Sequence, residues 1–118
     1  MKEQKIWGVV QHIFASPHCA VSILETKKGA YCSRHKHLAR VNRFVVCTGS
    51  IDVVEYAEDQ SEAVRKTLGP GEIADVAAGT FHRFEVNESG LVVEVYWPAS
   101  KFDEVQLTDI HRLDVGGK

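Results

Sequence analysis

The sequence predicts an all-β barrel or sandwich, and three observations carry that expectation. No segment holds an apolar helical period for three turns. Short runs rich in β-branched and aromatic residues recur instead. Turn signals interrupt them at spacings of about 8–12 residues, the rhythm of all-β folds.

In chain order, KIWGVVQHIF runs up to Ser16-Pro17, and CAVSILET ends at Lys28-Gly29. AYCSRHKH and RFVVC follow and stop at Gly49-Ser50, where SIDVVEYA begins. EIADVA sits between Gly69-Pro70-Gly71 and Ala78-Gly79, FHRFEV before Ser89-Gly90, and LVVEVYW before Pro98. DIHRLDV closes the series. Glycine supplies the turn conformations and proline withdraws a ladder donor, so each breaker ends a strand for a physical reason. DQSEAVRK from Asp59 is the one helix-like stretch and reads as a polar hairpin tip, with EYAEDQSE from Glu55 as its solvated face. GPGE at Gly69 reads as a β-turn rather than a phosphate loop.

The 118 residues suit one domain, residues 1–118, large enough to bury a core without disulfides. A net charge of −2 and a pI near 6.3 provide no basic field for nucleic acid. The most apolar stretch, LVVEVYWPA, is interrupted by Glu94 and Pro98 and is far shorter than the ~20 residues of a membrane span. The opening MKEQKIWGVVQHIF lacks the apolar stretch of a secretory signal. Cys19, Cys32 and Cys47 are odd in number and lack CxxC spacing, so a reducing cytoplasm is the expected compartment. Cys32 and Cys47 read as buried small hydrophobes. GxGxxG, the P-loop, GxSxG and HExxH are all absent from the chain.

Chemistry enters through histidine. Residues two apart share a face of a strand, so His35 and His37 point the same way, as do His82, Phe84 and Val86. In a small barrel one such face is the interior. Three imidazoles converging there make a nitrogen-rich pocket for a transition-metal ion. His12, His18 and His111 complete the set of six.

The spacing around these histidines is distinctive. Gly29 is followed by five residues, His35, one residue, His37, four residues, Asn42, six residues and Gly49. Further on come Gly71, five residues, Ala77, one residue, Gly79, two residues and His82. GAYCSRHKHLARVNRFVVCTG (29–49) and GEIADVAAGTFHRFEV (71–86) resemble the two motifs of the cupin superfamily. Asn42 stands where that family has glutamate, Ala77 where it has proline, and Val86 where it has asparagine. The resemblance implies a cupin double-stranded β-helix, or jelly-roll barrel. It also implies a divalent metal ion (zinc, iron, nickel or manganese) held by His35, His37 and His82. Asn42 is then either the fourth ligand or a hydrogen-bonding neighbour of a ligand.

The ends carry a narrower likeness. Trp7-Gly8, Glu94-Val95 and Asp109-Ile110-Arg112-Leu113-Asp114 resemble the corresponding places of the cupin domain of type II mannose-6-phosphate isomerases. That likeness implies a metal-dependent reaction on a small carbohydrate-like molecule, with sugar-phosphate isomerisation as the family activity.

An isomerase needs a carbonyl polariser, a base and a cation for the phosphate. Glu94 and His111 are the candidate catalytic bases. Arg40 and Arg43 beside the first motif are candidate substrate cations with Arg83, and Tyr31 is a candidate substrate contact. Lys36, Arg34 and these arginines alternate with the histidines, so several of them are expected to point outward as a solvated face. Replacing the family's glutamate with Asn42 removes a negative charge, so three neutral imidazoles leave the ion its full charge and open positions. Affinity is expected to fall below about pH 6.5 as histidine protonates. The same ligand set fits a three-histidine iron dioxygenase, and a barrel that binds a small molecule without turning it over is the third reading. Terminal strands are expected to extend the sheets and, because exposed edges need covering, to support a homodimer.

Overall fold

A computed structural model of the chain describes residues 2–100, 104–106 and 108–117. Those residues form strands and connections with no helix, so none can cross a membrane as a helix. The strands are β1 (Lys2–Lys5), β2 (Gly8–Ala15), β3 (Ala20–Thr26), β4 (His35–Lys36), β5 (Arg40–Val46), β6 (Ser50–Tyr56), β7 (Glu62–Leu68), β8 (Ile73–Val76), β9 (Phe81–Glu88), β10 (Gly90–Pro98) and β11 (His111–Arg112). They build two antiparallel sheets, ordered β1-β2-β3-β10-β5-β8 and β11-β4-β9-β6-β7.

The sheets pack because their inner faces are apolar at alternate positions. On β9, His82, Phe84 and Val86 are buried while Phe81, Arg83 and Glu85 are half-buried, as the period of two demands. On β5 the buried set is Arg40, Asn42, Phe44 and Val46. Trp7 and Phe84 meet edge to face at 5.0 Å and 82°, and Leu24, Val46, Val53 and Val92 complete the same core. Each such side chain contributes about 1.5–3 kcal/mol when fully buried.

The inward residues change character along the strands. β5 runs from Arg40 and Asn42 to Phe44 and Val46. β9 runs from His82 to Phe84 and Val86, and antiparallel β10 from Val92 to Glu94 and Tyr96. One end of the interior is therefore packed hydrocarbon, and the other gathers the polar side chains.

The turns follow the glycines. Gly49 has φ 81°, and a Cβ there would stand 2.6 Å from the Glu88 carbonyl oxygen. Gly79 has φ 82° and donates its N–H to the His37 carbonyl at 2.7 Å, tying the β8–β9 turn to the His-x-His segment.

Three local expectations differ from the structure. KIWGVVQHIF divides into β1 and β2 at Ile6-Trp7, because β1 folds back on β2 with Lys5 opposite Gly8. AYCSRHKH contributes only the two-residue β4, the rest being an extended connection. The stretch expected to be a hairpin tip begins β7, whose residues are exposed except Leu68. Such an edge strand has no apolar alternation to reveal it. It is held on β6 by polar contacts, with Arg65 Nη1 and Thr67 Oγ1 donating to Asp52 at 2.7 and 2.8 Å.

Candidate metal centre

His35 and His82 are register partners across β4 and β9, and His37 follows two residues after His35. All three are buried, at 7%, 2% and 1% exposure for His35, His37 and His82, and their ring centroids stand 4.5–5.3 Å apart. One nitrogen from each lies within 4.8 Å of the others.

Backbone carbonyls select which nitrogen that is. Nδ1 of His35 lies 2.6 Å from the Ser33 carbonyl, Nδ1 of His37 2.7 Å from that of Asp109, and Nδ1 of His82 2.9 Å from that of Thr80. A carbonyl only accepts, so each Nδ1 carries the proton and donates it, leaving Nε2 as the nitrogen that bears a lone pair. His37 Nε2 is buried with no partner among the described residues. Burial also pushes the three imidazoles below the ordinary 6.5, to about 2 for His35, about 3 for His37 and about 4 for His82. For His35, the neighbouring His82 and His37 add to that effect, as the Arg40 charge does for His37. The group is therefore neutral and preoriented, which is the form a divalent cation requires. The expected loss of ligand capacity near pH 6.5 is corrected by this burial: the folded imidazoles stay unprotonated well below it.

Asn42 is fully buried beside the cluster. Its Nδ2 lies 3.4 Å from His82 Nε2 and donates to Glu94 Oε2 at 3.2 Å, while its Oδ1 has no partner among the described residues. The amide thus touches both a candidate ligand nitrogen and a carboxyl. Burial raises the Glu94 carboxyl above its ordinary range, against hydrogen bonds from Tyr96 and Asn42 and the charge of Arg40. Burial likewise holds the Tyr96 phenol well above its usual value.

A cavity of about 520 Å³ reaches this centre at His35. Arg40 and Glu94 line it on the polar side, and Trp7, Leu24 and Phe84 on the apolar side. Of the residues singled out in the sequence, His35, His37, His82, Asn42, Glu94 and Arg40 are brought together. The others lie elsewhere. Arg43 is on the outer face, paired with Asp75 at 2.7 Å and stacked 5.0 Å from the Trp97 ring, because the strand alternation that turns Asn42 inward turns its neighbour outward. Tyr31 bridges to Gly117 and Glu85, with the Arg83 guanidinium 4.7 Å from its ring. His111 is half exposed on β11, 3.8 Å from Asp109 Oδ1 and outside the cavity lining.

The cysteines separate in the same way. Cys32 lines the cavity, where burial pushes its thiol up to about 12 and its sulfur accepts the Phe84 N–H at 3.2 Å. Cys47, expected to be buried, is exposed just beyond the end of β5.

Sequence reasoning did not find the work of Asp109. Its carbonyl orients His37, and its two carboxylate oxygens accept the Leu38 and Ala39 N–H groups at 2.9 Å each. The terminal segment that carries it also supplies Ile110 and Arg112 to the cavity wall. The only signal in the sequence was its place in the closing TDIHRLDV run, which implies no role for the side chain.

No protein-family model matches the chain, and no curated protein matches it. Solved structures do. A variant of the oxalate decarboxylase of Bacillus subtilis aligns over 96% of this chain with a TM-score of 0.78 at 17% identity. The capsular polysaccharide assembling protein CapF of Staphylococcus aureus aligns over 98% with a TM-score of 0.75 at 20% identity. The chain spans about a third of their lengths, 30% and 34% respectively. At such identities the likeness establishes the fold alone, a barrel of the cupin double-stranded β-helix type. Within that fold, the three buried histidines form a candidate divalent-metal centre.

Proposed function

We propose that the protein is a metal-dependent cupin that moves a proton at a carbon next to a carbonyl in a small molecule bearing an anionic group. Sugar-phosphate isomerisation, implied by the terminal likeness, belongs to that reaction type. The carrying observation is that three Nε2 lone pairs and a carboxyl, Glu94, face one region at the polar end of the barrel. A divalent ion held by His35, His37 and His82 would supply Lewis-acid polarisation of the substrate carbonyl.

The chain's own residues supply the rest. Glu94 takes the proton, its carboxyl held by Asn42 Nδ2 at 3.2 Å and by the Tyr96 hydroxyl. A carboxyl sheltered from water is a stronger base than an exposed one, which suits proton abstraction near neutral pH. Arg40, stacked 3.8 Å over the Tyr96 ring, holds an anionic group of the substrate. The apolar wall excludes water from the exchanging proton.

Metal-loaded protein in deuterated solvent should exchange a substrate C–H, followed by proton NMR across a panel of hydroxy- and oxo-compounds. Glu94→Gln should lose exchange while keeping its metal. Exchange undiminished in that variant overturns the assignment of the base. The neutral ligand set also favours a second reading, dioxygen chemistry at iron. Stoichiometric oxygen uptake by iron-loaded protein, with no exchange, would select it.

A further inference from the structure

We infer that the site selects a small amphipathic organic acid, its carboxylate gripped by Arg40 and its hydrocarbon body laid against Trp7, Leu24 and Phe84. This rests on the metal-dependent reading above and names its substrate class.

The first support is an unbalanced cation. Arg40 is 4% exposed, and among the described residues it forms no ion pair. Nη1 donates to the Gln106 carbonyl at 2.6 Å, and Nε has no partner among the described residues. A buried guanidinium without a counter-charge is costly unless an anion completes it. Glu94 feels its field without pairing with it. The three histidines add no negative charge, so a metal in the centre would deepen the positive excess beside Arg40.

The second support is the apolar part of the lining. Trp7, Leu24 and Phe84 are 8%, 2% and 3% exposed and offer no polar atom besides the indole N–H. Sugar hydroxyls laid against these three side chains would be left unpaired, each at a desolvation cost. The second arginine expected for a phosphate, Arg43, is committed to Asp75 on the outer face. Of the other cations in the lining, Lys5 is paired with Glu3 at 2.7 Å and Arg112 is exposed on β11. Arg40 is therefore the buried planar fork, and such a fork matches a carboxylate better than a phosphate dianion. A volume of about 520 Å³ accommodates an acid with a ring or branched chain and leaves a smaller diacid loosely held.

The test is calorimetric titration of the full-length chain, with and without one equivalent of Zn²⁺. The probes are 3-phenyllactate, oxalate, fructose 6-phosphate and benzyl alcohol. With zinc, 3-phenyllactate should bind at least about tenfold more tightly than the other three, the value of one good charge-assisted contact or one buried apolar group. Arg40→Gln should weaken 3-phenyllactate binding about 10- to 100-fold with zinc affinity changed less than about threefold, and Arg40→Lys should fall between. Tighter binding of fructose 6-phosphate or oxalate in the wild-type chain overturns the proposal whether or not the variants fold. Equal binding of 3-phenyllactate by Arg40→Gln overturns it too. If zinc fails to bind while 3-phenyllactate binds through Arg40, the substrate class stands and the metal reading falls. If zinc binds and no acid does, the reverse holds.

Discussion

Acidifying the metal-free protein should destabilise it through the three buried histidines, and the size of the effect follows from the structure. Folded His35, His37 and His82 take up protons only near pH 2, 3 and 4, while in the unfolded chain they do so from 6.5 downward. Between those limits the unfolded state binds more protons, so stability is fully present above pH 6.5 and is lost as pH falls. Each imidazole costs about 1.4 kcal/mol per pH unit in that window. From about pH 7.5 to about pH 5.5 the three together remove about 4 kcal/mol. With an unfolding entropy of about 2.1 cal/mol/K per residue, the melting temperature drops by about 15 °C. Glu94 opposes this slightly, because its raised pKa lets the folded state gain a proton first. The assay is differential scanning calorimetry of chelator-treated protein against pH, with His35→Asn as the control that should lose about a third of the slope. A melting temperature that changes by less than about 3 °C would mean the histidines titrate like exposed ones, and the enclosed neutral cluster would be wrong.

Three further outcomes are expected. His37→Ala should abolish stoichiometric metal binding while far-ultraviolet circular dichroism still reports the barrel, since the apolar half of the core is untouched; full metal content in that variant refutes its ligand role. Asn42→Glu should lower the metal-free melting temperature, because a second carboxyl faces Glu94, yet enlarge the metal-induced rise; an unchanged rise places residue 42 out of reach of the ion. Asp109→Ala should weaken metal affinity about 10- to 100-fold by releasing the Leu38–Ala39 backbone that carries His37, measured by competition with a chromophoric chelator; unchanged affinity would leave Asp109 a purely structural contact.

What the sequence disclosed divides along physical lines. The convergence of His35, His37 and His82 was legible because strand period and glycine-bounded spacing are local properties, and both survive folding unchanged. Asn42 was found the same way, by a motif position, and Glu94 by its place in the terminal likeness. Arg43 was misplaced because two arginines near a motif look alike until the strand's inner face is known; one residue of register separates the buried Arg40 side from the solvated one. β7 escaped because an edge strand held by Arg65, Thr67 and Asp52 has no apolar rhythm. Asp109 was invisible for a different reason. Its contacts join residues about seventy apart in the chain, and only the closed barrel brings the terminal segment under His37.

The histidine cluster as a metal centre is the point on which the rest depends. Elemental analysis of untagged protein, purified without chelator and then titrated with a divalent ion, tests it most directly. One zinc, iron, nickel or manganese ion per chain is the expected result, lost in His37→Ala. Protein that carries no metal and takes up none on titration would contradict it, and would leave the cavity a binding site without metal chemistry.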